Sequence, residues 1–515
     1  MLRILLLGVA LASATVVLAQ SPPRTDPASF TLSNKNLEFT LWASEPLFVN
    51  PTCMDVDHKG RVWVCESVNY RNKLRRFPKL TRPEGDRIVL LEDDKGTGKA
   101  TRATTFYQSP TLMAPLGIAV APYPDGKGVK VFVCQSPEIF VLEDRDGDGK
   151  ADGPPRTLLK GFGGIDHDHG VHSILIGPDR RLYFTVGDSG VNGLQSSDGK
   201  GRKWSSNSTD CRAGTVWRCE LDGTGLELLA HNFRNNYEVA VDSFGTMFLS
   251  DNDDDGNQQT RICHVIPGGN YGYHPRGKGQ THWHEEQPGV MPKILRTYFG
   301  SPTGMCLYEG TLLPAKYRGQ PLHTDAGPRH VRAYHLKPSG ASYEVDREDL
   351  VEGKDPSFRP SDVCVGPDGS VYVADWHDPR VGGHDMKDIE TGRIYRLAPR
   401  GSKVANPTID VSTNKGVIEA LGSPNLAARA MAMAKLAEMK REEARALLSP
   451  VSTQKGDPIL RARALWMLSS LSDTKSGLPE FIKELAKDDD PRFRVLGVRL
   501  STDASRYHQR LAKLW

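Results

Sequence analysis

The chain lacks a strong charge of either sign and, beyond its first residues, any long apolar run. Its 515 residues carry 66 Lys and Arg against 63 Asp and Glu, which leaves a formal net charge of +3. This small excess, without a basic run interleaved with aromatic residues, argues against a nucleic-acid-binding protein. No later segment is apolar over the roughly 20 residues that a membrane-spanning helix requires. We therefore expect no nucleic-acid partner and no transmembrane segment in the processed chain.

The one long apolar run has the form of a secretory signal peptide. Arg3 supplies the positive charge, residues 4–17 the apolar stretch, and Val17-Leu18-Ala19 the small-residue cleavage pattern. An uncleaved membrane anchor is the alternative, but the run is short for a spanning helix. We predict a signal peptide over residues 1–19 and a linker over 20–36. The protein is then secreted or periplasmic, either free or associated with the membrane surface.

The chain also lacks the motif C-x-x-C-H, so we expect no covalently attached haem. It contains eight Cys. Cys53 and Cys65 flank a turn at residues 57–60 symmetrically and would face each other in a β-hairpin. An oxidising compartment would allow a disulfide between them. Buried free thiols are the alternative, and the sequence leaves both open.

A hairpin pattern recurs six times between residues 37 and 400. Each copy has a β-rich run, a turn with Gly or Asp, a second β-rich run, and an exit with small or acidic residues. A repeat of this length with several short strands is typical of a β-propeller blade. We therefore predict an all-β six-bladed β-propeller over residues 37–400 rather than a large sandwich or barrel. The turns contain Gly60, Gly126, Asp179, Gly245, Gly310 and Gly369.

The segment 139–152, IFVLEDRDGDGKAD, contains a candidate Ca²⁺ loop. Its acids are spaced D-x-D-x-D-G-x-x-D, and Gly149 permits the sharp turn that such a loop makes. A solvated acidic turn is the alternative. The related segment 88–101 has Lys and Thr in place of the acids and is not expected to bind a cation. We expect a structural Ca²⁺ held by Asp144, Asp146, Asp148, Asp152 and the carbonyl of Lys150.

After residue 400 the composition changes to helical repeats. Ser423-Pro424, Asp457-Pro458 and Asp490-Pro491 recur at similar intervals, and each precedes a run with helical apolar spacing. Ser or Asp followed by Pro is a helix-start signal. An arginine at the positions of Arg461 and Arg494 also recurs and is expected to be buried. We predict a small HEAT-like α-solenoid over residues 401–515 that serves as a scaffold or docking surface.

The segment 166–190, DHDHGVHSILIGPDRRLYFTVGDSG, opens with three histidines within six residues. His167 and His169 precede the third hairpin, and His172 is in its first β-rich run. One of them could act as a general base near neutral pH. They could instead share a transition metal with the neighbouring acids Asp166 and Asp168, or serve as hydrogen-bonded rim residues.

Other polar loops are candidates for the same site. Residues 251–255 contain four acids, which repel one another unless a cation lies among them. Residues 282–286, HWHEE, are a weaker metal candidate. Residues 375–378 and 382–385 follow the last hairpin. By the logic of the repeat, their loops lie on the same propeller face as residues 187–190 and 251–255.

Three motifs resemble the soluble quinoprotein glucose/sorbosone dehydrogenases, six-bladed propellers that bind pyrroloquinoline quinone (PQQ). They are H-x₇-G-P-D…Y-F-T-V-G-D-S-G from His169, HNFRN at 231–235 and GGNYGY at 268–273. The phrases FTLWASEPLFVNP and FRPSDVCVGPDGSVYVADWHDPRVGGHDM are similar to a family of membrane-bound dehydrogenases from planctomycetes and verrucomicrobia. Members of that family join such a propeller to HEAT-like repeats. Many also carry a cytochrome-c domain with C-x-x-C-H, which this sequence lacks.

The resemblance implies a role for several residues. His169 falls on the catalytic base, and Arg234 with Asn235 on the pair that contacts substrate and quinone. Arg359 falls on an arginine that binds the carboxylates of PQQ. Two positions depart from the family, because its other cofactor cations fall at Ser361 and near Pro328-Arg329. The implied cofactor-binding set is Asn235, Arg359 and His172, and a cofactor-side Ca²⁺ would be held by Asp251, Asp253 and Asp255.

These features predict an extracytoplasmic quinoprotein-type oxidoreductase that oxidises a sugar or another alcohol, with His169 as general base. PQQ and Ca²⁺ are the expected cofactors. Arg234 could stabilise negative charge that develops on the quinone oxygen. The alternatives are a non-catalytic propeller that binds carbohydrate or protein, and a Ca²⁺-dependent lactonase-type hydrolase. A cytochrome or another protein is a candidate partner for the helical repeats.

Overall fold

The computed structural model describes residues 29–76, 79–206, 213–252, 260–273, 283–383, 386, 388–472 and 479–512, without the side chains of 504–512. The predicted signal peptide lies outside the described residues. So do Cys211, His282 and the acids at 253–255 and 385. None of the described helices combines the length and apolar character needed to cross a bilayer.

The propeller strands follow the predicted hairpins. In chain order they are β1 (Phe30–Leu32), β2 (Leu37–Ser44), β3 (Pro51–Val56), β4 (Val62–Glu66), β5 (Arg87–Glu92), β6 (Arg102–Gln108), β7 (Gly117–Pro122), β8 (Val129–Gln135), β9 (Glu138–Asp144), β10 (Arg156–Lys160), β11 (Val171–Ile176), β12 (Leu182–Val186), β13 (Asn192–Leu194), β14 (Trp204–Ser205), β15 (Gly214–Cys219), β16 (Glu227–Phe233), β17 (Val239–Val241), β18 (Met247–Asn252), β19 (Thr260–Val265), β20 (Gly269–Asn270), β21 (Leu295–Tyr298), β22 (Pro302–Tyr308), β23 (Gln320–Asp325), β24 (His330–Ser339), β25 (Ser342–Gly353), β26 (Pro360–Val365), β27 (Val371–Asp375) and β28 (Arg393–Pro399).

These strands form six antiparallel blades around a channel, which confirms the predicted fold. Blade 1 is β3–β6 and blade 2 is β7–β10. Blade 3 is β11, β12, β15 and β16 with the parallel addition β20, and blade 4 is β17, β18, β19 and β21. Blade 5 is β22–β25 with β1, and blade 6 is β26–β28 with β2. The first strands β3, β7, β11, β17, β22 and β26 contact one another in a closed inner ring.

The N-terminal strands complete the outer edges of blades 5 and 6 and so close the propeller. Strand β2 pairs with β28 along its whole length, so blade 6 contains both ends of the propeller. Strand β1 extends blade 5 by pairing with β25. Phe30 packs within 5.0 Å of the rings of Phe39, Phe358 and Tyr395. The prediction of a linker over 20–36 is therefore wrong for residues 30–32, because this aromatic cluster binds them to the propeller.

A polar side chain at the end of the second strand fixes the loop that leads into most blades. We call this side chain the exit residue and the loop before the first strand the lead-in loop. The exit residue accepts a hydrogen bond from a lead-in backbone N–H of its own blade. The contacts are Glu66 with Val49 (2.9 Å), Gln135 with Met113 (2.7 Å), Asp251 with Asn235 (2.9 Å), Asp325 with Ser301 (2.7 Å) and Asp375 with Arg359 (2.8 Å).

The C-terminal region forms three helix pairs. Its helices are α1 (Asn414–Gly422), α2 (Leu426–Glu438), α3 (Arg441–Thr453), α4 (Pro458–Ser470), α5 (Glu480–Leu485) and α6 (Pro491–Ala512). Helices α4 and α6 begin at Pro458 and Pro491, where the sequence predicted helix starts. Helix α2 begins two residues after Pro424, because the side chain of Asn425 is its N-cap.

Burial of the repeated arginine at 461 and 494 is a wrong prediction. Arg461 is only partly buried and Arg494 is exposed. The buried arginines are instead Arg429 and Arg463, which are 8% and 3% exposed. Helical spacing alone does not show which face of a helix meets the propeller.

The helical region covers one end of the channel. The Asn425 side-chain amide donates to the carbonyls of Val56 (2.7 Å) and Val365 (2.9 Å), at the ends of inner strands β3 and β26. Arg429 and Arg463 each form an ion pair of 2.9 Å with the buried Glu309 after β22. The start of α2 thus closes this end of the channel, and only the opposite end remains available to a ligand.

Cys53 and Cys65 lie directly opposite each other in the register of β3 and β4, as the hairpin predicted. Both are buried free thiols in the structure, as are the other described cysteines on the blade strands except the less buried Cys306 and Cys364. The structure therefore shows the free-thiol alternative.

Replacement of Glu309 by Gln is expected to destabilise the protein by about 3–5 kcal/mol, because it leaves two buried guanidinium groups without their carboxylate. Burial opposes ionisation of Glu309, but the charges of Arg429 and Arg463 and hydrogen bonds from Ser243 lower its pKa to about 2. The ionised group therefore stabilises the fold above the ordinary pKa of Glu, and this contribution is lost as the pH falls towards 2.

Urea unfolding of both proteins at several pH values measures this effect. The exposed Glu419→Gln on α1 is the control and should leave the unfolding midpoint unchanged. A Glu309→Gln variant as stable as the wild type at neutral pH would show that these ion pairs do not secure the helical region.

Candidate functional site

A cavity of about 620 Å³ opens at the end of the channel opposite the helical region. All six blades contribute to its wall through their lead-in loops or the residues that follow their second strands. The structure thus brings together the loops that the repeat placed on one face. Among the predicted site residues, it is lined by His169, Arg234, Asn235 and Arg359.

His169 and Asp188 form a hydrogen-bonded pair in this cavity. His169 lies in the lead-in loop of blade 3, and its Nδ1 is 2.5 Å from Oδ1 of Asp188, which follows β12. The backbone N–H of Ser189 donates to the carbonyl of His169 (3.0 Å), so the two loops are also joined through their backbones. An ionised Asp188 can only accept, so it keeps the proton on Nδ1 and leaves Nε2 as a proton acceptor.

Blade 3 departs from the other five blades at this point. The apolar Val186 occupies the position of the exit residue, opposite Val171, and the lead-in loop is held by the backbone N–H of Gly187, which donates to the Gly170 carbonyl (2.8 Å). Asp188, two residues beyond Val186, binds the imidazole of His169. Gly187 allows the loops to approach, because a Cβ at that position would lie 2.6 Å from Oδ1 of Asn235 and 2.8 Å from the His169 backbone.

Asp168, the neighbour of His169, is held by three donors from two other blades. The hydroxyl of Tyr70 (2.6 Å), the guanidinium of Arg71 (2.9 Å) and the amide of Asn235 (3.2 Å) all donate to its carboxylate. Burial by itself would raise the pKa of Asp168. The nearby His169 and Arg71 act in the opposite direction, and the net effect holds the pKa well below its usual range. The cavity therefore keeps a fixed negative charge beside the His169–Asp188 pair.

The motif at 268–273 supports the loop that carries Arg234 and Asn235. The Tyr271 ring stacks on Phe233 at 4.2 Å, and its backbone N–H donates to the carbonyl of His231 (2.9 Å). The exit residue Asp251 accepts from the backbone N–H groups of Arg234 (3.1 Å) and Asn235 (2.9 Å). Both side chains are thereby directed at the cavity.

The assignment of His172 to the cofactor-binding set is wrong. His172 is fully buried and does not line the cavity. Its ring nitrogens are hydrogen-bonded to the Tyr237 carbonyl (2.8 Å) and to Oδ1 of Asn235 (3.2 Å). Burial lowers its pKa to about 4, so it is neutral at physiological pH. His172 supports Asn235 from behind and cannot contact a ligand.

The predicted cofactor arginine, Arg359, is suited to bind an anion. It is 6% exposed, and its guanidinium donates to the carbonyls of Phe358 (2.9 Å) and Pro379 (3.1 Å). Its Nε has no hydrogen-bond partner in the part of the chain that is described. Burial and the nearby charge of Arg329 lower its pKa. Arg329 therefore lies near Arg359, at one of the two places where the resemblance implies another cofactor cation. Ser361 is at the other place, and its hydroxyl donates to the Pro51 carbonyl (2.7 Å).

Sequence analysis missed Tyr70 and Arg71, from the long loop between β4 and β5, and Arg380, from the segment after β27. Trp376, which also lines the cavity, belongs to the candidate loop at 375–378. The rings of Tyr70 and Trp376 are in edge-to-face contact at 5.2 Å. No motif marks Tyr70 and Arg71, because only the fold shows that the blade 1 loop reaches across to blades 3 and 6.

The structure does not support the predicted metal sites in the cavity. The rings of His167 and His169 are 5.5 Å apart, but His172 lies behind the cavity wall, so the three imidazoles do not converge. Asp251 is not available as a Ca²⁺ ligand, because its carboxylate forms a buried ion pair with Arg261 at 2.9 Å. Its predicted co-ligands Asp253 and Asp255 lie outside the described residues.

The Asp144 loop has the geometry of a cation site. Carboxylate oxygens of Asp144, Asp146 and Asp152 lie within 4.8 Å of one another, whereas Asp148 is not part of this group. Asp144 also accepts from the backbone N–H groups of Gly147 (2.7 Å) and Gly149 (3.0 Å), which shape the turn between β9 and β10. This turn lies on the face of the helical region, away from the cavity.

The solved structures that are similar to this chain include several sugar dehydrogenases. The PQQ-bound form of an aldose sugar dehydrogenase from Streptomyces coelicolor is 19% identical, with a TM-score of 0.49 over 70% of this chain and 98% of that chain. A glucose dehydrogenase from Thermus thermophilus is 19% identical, with a TM-score of 0.48 over 70% and 99%. The holo PQQ domain of a pyranose dehydrogenase from Coprinopsis cinerea is 13% identical, with a TM-score of 0.48 over 73% and 98%.

Similarities at this level do not establish an activity, and no curated protein matches the chain. The family model described as "Domain of unknown function (DUF7133)" matches residues 28–401. This range contains every described propeller strand and all the cavity residues named above. The chain therefore belongs to the DUF7133 family.

Proposed function

We propose that this protein is an extracytoplasmic dehydrogenase that oxidises a hydroxyl group of a sugar or another alcohol, with PQQ as its cofactor. The observation that carries the proposal is the contact of 2.5 Å between His169 and Asp188 inside a cavity lined by arginines. The quinoprotein resemblance of the surrounding motifs gives the reaction class. The signal-peptide pattern at residues 1–19 supports an extracytoplasmic location.

His169 has the properties of a general base for a hydroxyl proton. Its Nδ1 is bound to Asp188, so Nε2 can accept the proton of a substrate hydroxyl in the cavity. Asp188 then stabilises the imidazolium that forms, as a carboxylate paired with a catalytic histidine does.

The cationic groups of the cavity suit a ligand that carries several carboxylates. The guanidinium groups of Arg71, Arg234, Arg359 and Arg380 line it, and Arg359 lacks a carboxylate within ion-pair distance among the described residues. Arginine forks bind carboxylates with paired, charge-assisted hydrogen bonds. Tyr70 and Trp376 add aromatic surface. PQQ, an aromatic tricarboxylate, would be held by Arg359, Arg234 and Asn235, and when bound it supplies an acceptor for the hydride that leaves the carbon of the alcohol.

The two alternative functions do not account for the His169–Asp188 pair and the arginines of the cavity. A carbohydrate-binding scaffold does not require a carboxylate that orients His169. A lactonase-type hydrolase would require metal ligands in the channel. Among the described cavity residues, no three His or acidic side chains gather as those of the Asp144 loop do.

Reconstitution with PQQ and Ca²⁺, followed by dye reduction with a panel of sugars and alcohols, tests the proposal. The wild type is expected to reduce the dye. His169→Gln should lower kcat/KM by about 10² to 10⁴-fold because the base is lost. Asp188→Asn should lower it by about 10- to 100-fold, because an amide no longer fixes the imidazole tautomer.

His335→Gln is the matched control, because His335 also pairs with a carboxylate, Glu348 at 2.8 Å, but on the outer part of blade 5. It should retain wild-type turnover. Absence of turnover with every substrate, or full activity of His169→Gln, would contradict the proposal.

We also propose that the Asp144 loop binds a structural Ca²⁺. Three carboxylates near one another and a Gly-permitted turn suit a hard oxygen-binding cation. Saturating Ca²⁺ is expected to raise Tm by about 2–5 °C relative to chelator, since ligand binding stabilises only the folded state. Asp146→Asn should abolish most of this shift. Asp94→Asn in the related loop at 93–101 is the control and should keep it, and equal shifts in both variants would place the Ca²⁺ elsewhere.

A further inference from the structure

Most of the exposed large apolar side chains lie around the mouth of the cavity. Six such side chains are found among the described residues, and only Val495 and Val498 belong to the helical region. The other four are Leu74, Ile165, Tyr298 and Phe299. Leu74 lines the cavity, Ile165 is two residues before His167, and Phe299 is two residues before the lining residue Ser301.

Tyr298 and Phe299 form an aromatic pair that is held outwards by a fixed backbone. Their side chains are 64% and 53% exposed. Tyr298 is the last residue of β21, paired with Thr260 of β19, and has a left-handed φ of +62°. Such a backbone is unfavourable for an aromatic residue, so the surrounding structure must impose it. Two residues later, the backbone N–H of Ser301 is bound to Asp325 at 2.7 Å, which fixes the other side of the pair.

The chemistry of this rim suits a carbohydrate. Leu74 is on a loop of blade 1, Ile165 on the loop that leads into blade 3, and the aromatic pair at the junction of blades 4 and 5. They are thus spread around the opening instead of forming the single broad patch that a stable protein interface needs. A pyranose ring has an apolar C–H face that stacks on an aromatic ring and hydroxyl groups that need polar partners. The rim offers the aromatic rings for stacking, and the cavity offers the polar partners for the hydroxyl groups. Rigid aromatic side chains also lose little entropy on binding.

We infer that Tyr298 and Phe299 form a stacking platform for a sugar unit next to the one that enters the cavity. The substrate is then an oligosaccharide, or the end of a longer glycan, in preference to a free monosaccharide. The unit with the reacting hydroxyl reaches His169, while its neighbour rests on the aromatic pair. This inference rests on the proposed function for its reaction, but glycan binding can be measured without turnover or cofactor.

Isothermal titration calorimetry of the full chain with sugars of different length tests this inference. The probes are glucose and xylose against cellohexaose, maltohexaose, xylohexaose and laminarihexaose. At least one hexasaccharide is expected to bind about tenfold or more tightly than its monosaccharide, because a second unit gains the stacking contact. The double variant Tyr298→Asn, Phe299→Ser should lose this length dependence. Asn tolerates the left-handed φ at 298, so the variant should keep the fold.

Val498→Ser on α6 is the control, because it removes an exposed apolar side chain that is far from the cavity. It should bind hexasaccharide as the wild type does. No length dependence with any of the four sugars, or a length dependence that the double variant retains, would overturn the inference. Length-dependent binding without PQQ-dependent turnover would support the platform and reject the dehydrogenase, so the two failures are distinguishable.

Discussion

The structure depends on hydrogen bonds between a polar exit residue and the lead-in loop of the same blade. A carboxylate or amide that accepts a backbone N–H fixes where the first strand begins, and five blades use it in this way. In blade 3 the apolar Val186 occupies the exit position, and the backbone N–H of Gly187 holds the lead-in loop by donating to the Gly170 carbonyl (2.8 Å). The carboxylate of Asp188, two residues beyond Val186, binds the ring of His169. The proposed base thus lies in the blade whose lead-in loop is held by a backbone contact and not by a polar exit side chain.

Closure of the other end of the channel gives this site its single opening. The side chain of Asn425 hydrogen-bonds the start of α2 to the ends of two inner strands. The ion pairs of Arg429 and Arg463 with Glu309 further stabilise the contact between the helical region and the propeller. Carboxylates also join neighbouring blades within the ring. Asp55 accepts from the Val120 backbone at 2.8 Å, and Asp362 accepts from that of Met54 at 2.7 Å. A ligand must therefore enter past the apolar rim and the arginines.

The six hairpins could be predicted from sequence because strand alternation and turn residues are local properties, and exit loops of equivalent strands must share a face. Other features depend on contacts between distant segments. Every residue of β11 is buried, so the pattern of the strand could not show that His172 lies behind the wall while His169 faces the cavity. The acidic run at 251–255 suggested that Asp251 could bind a cation, but its carboxylate is paired with the guanidinium of Arg261 on the neighbouring strand. Arg71 reaches the site only through a long loop from blade 1.

We propose that the arginines of the cavity, and Arg359 in particular, hold a cofactor with several carboxylates. Equilibrium dialysis of PQQ against the full chain in the presence of Ca²⁺ measures this binding. One PQQ per chain is expected to bind, with affinity reduced about tenfold or more in Arg359→Gln because a charge-assisted contact is lost. Absence of PQQ binding, or binding that Arg359→Gln leaves unchanged, would contradict it.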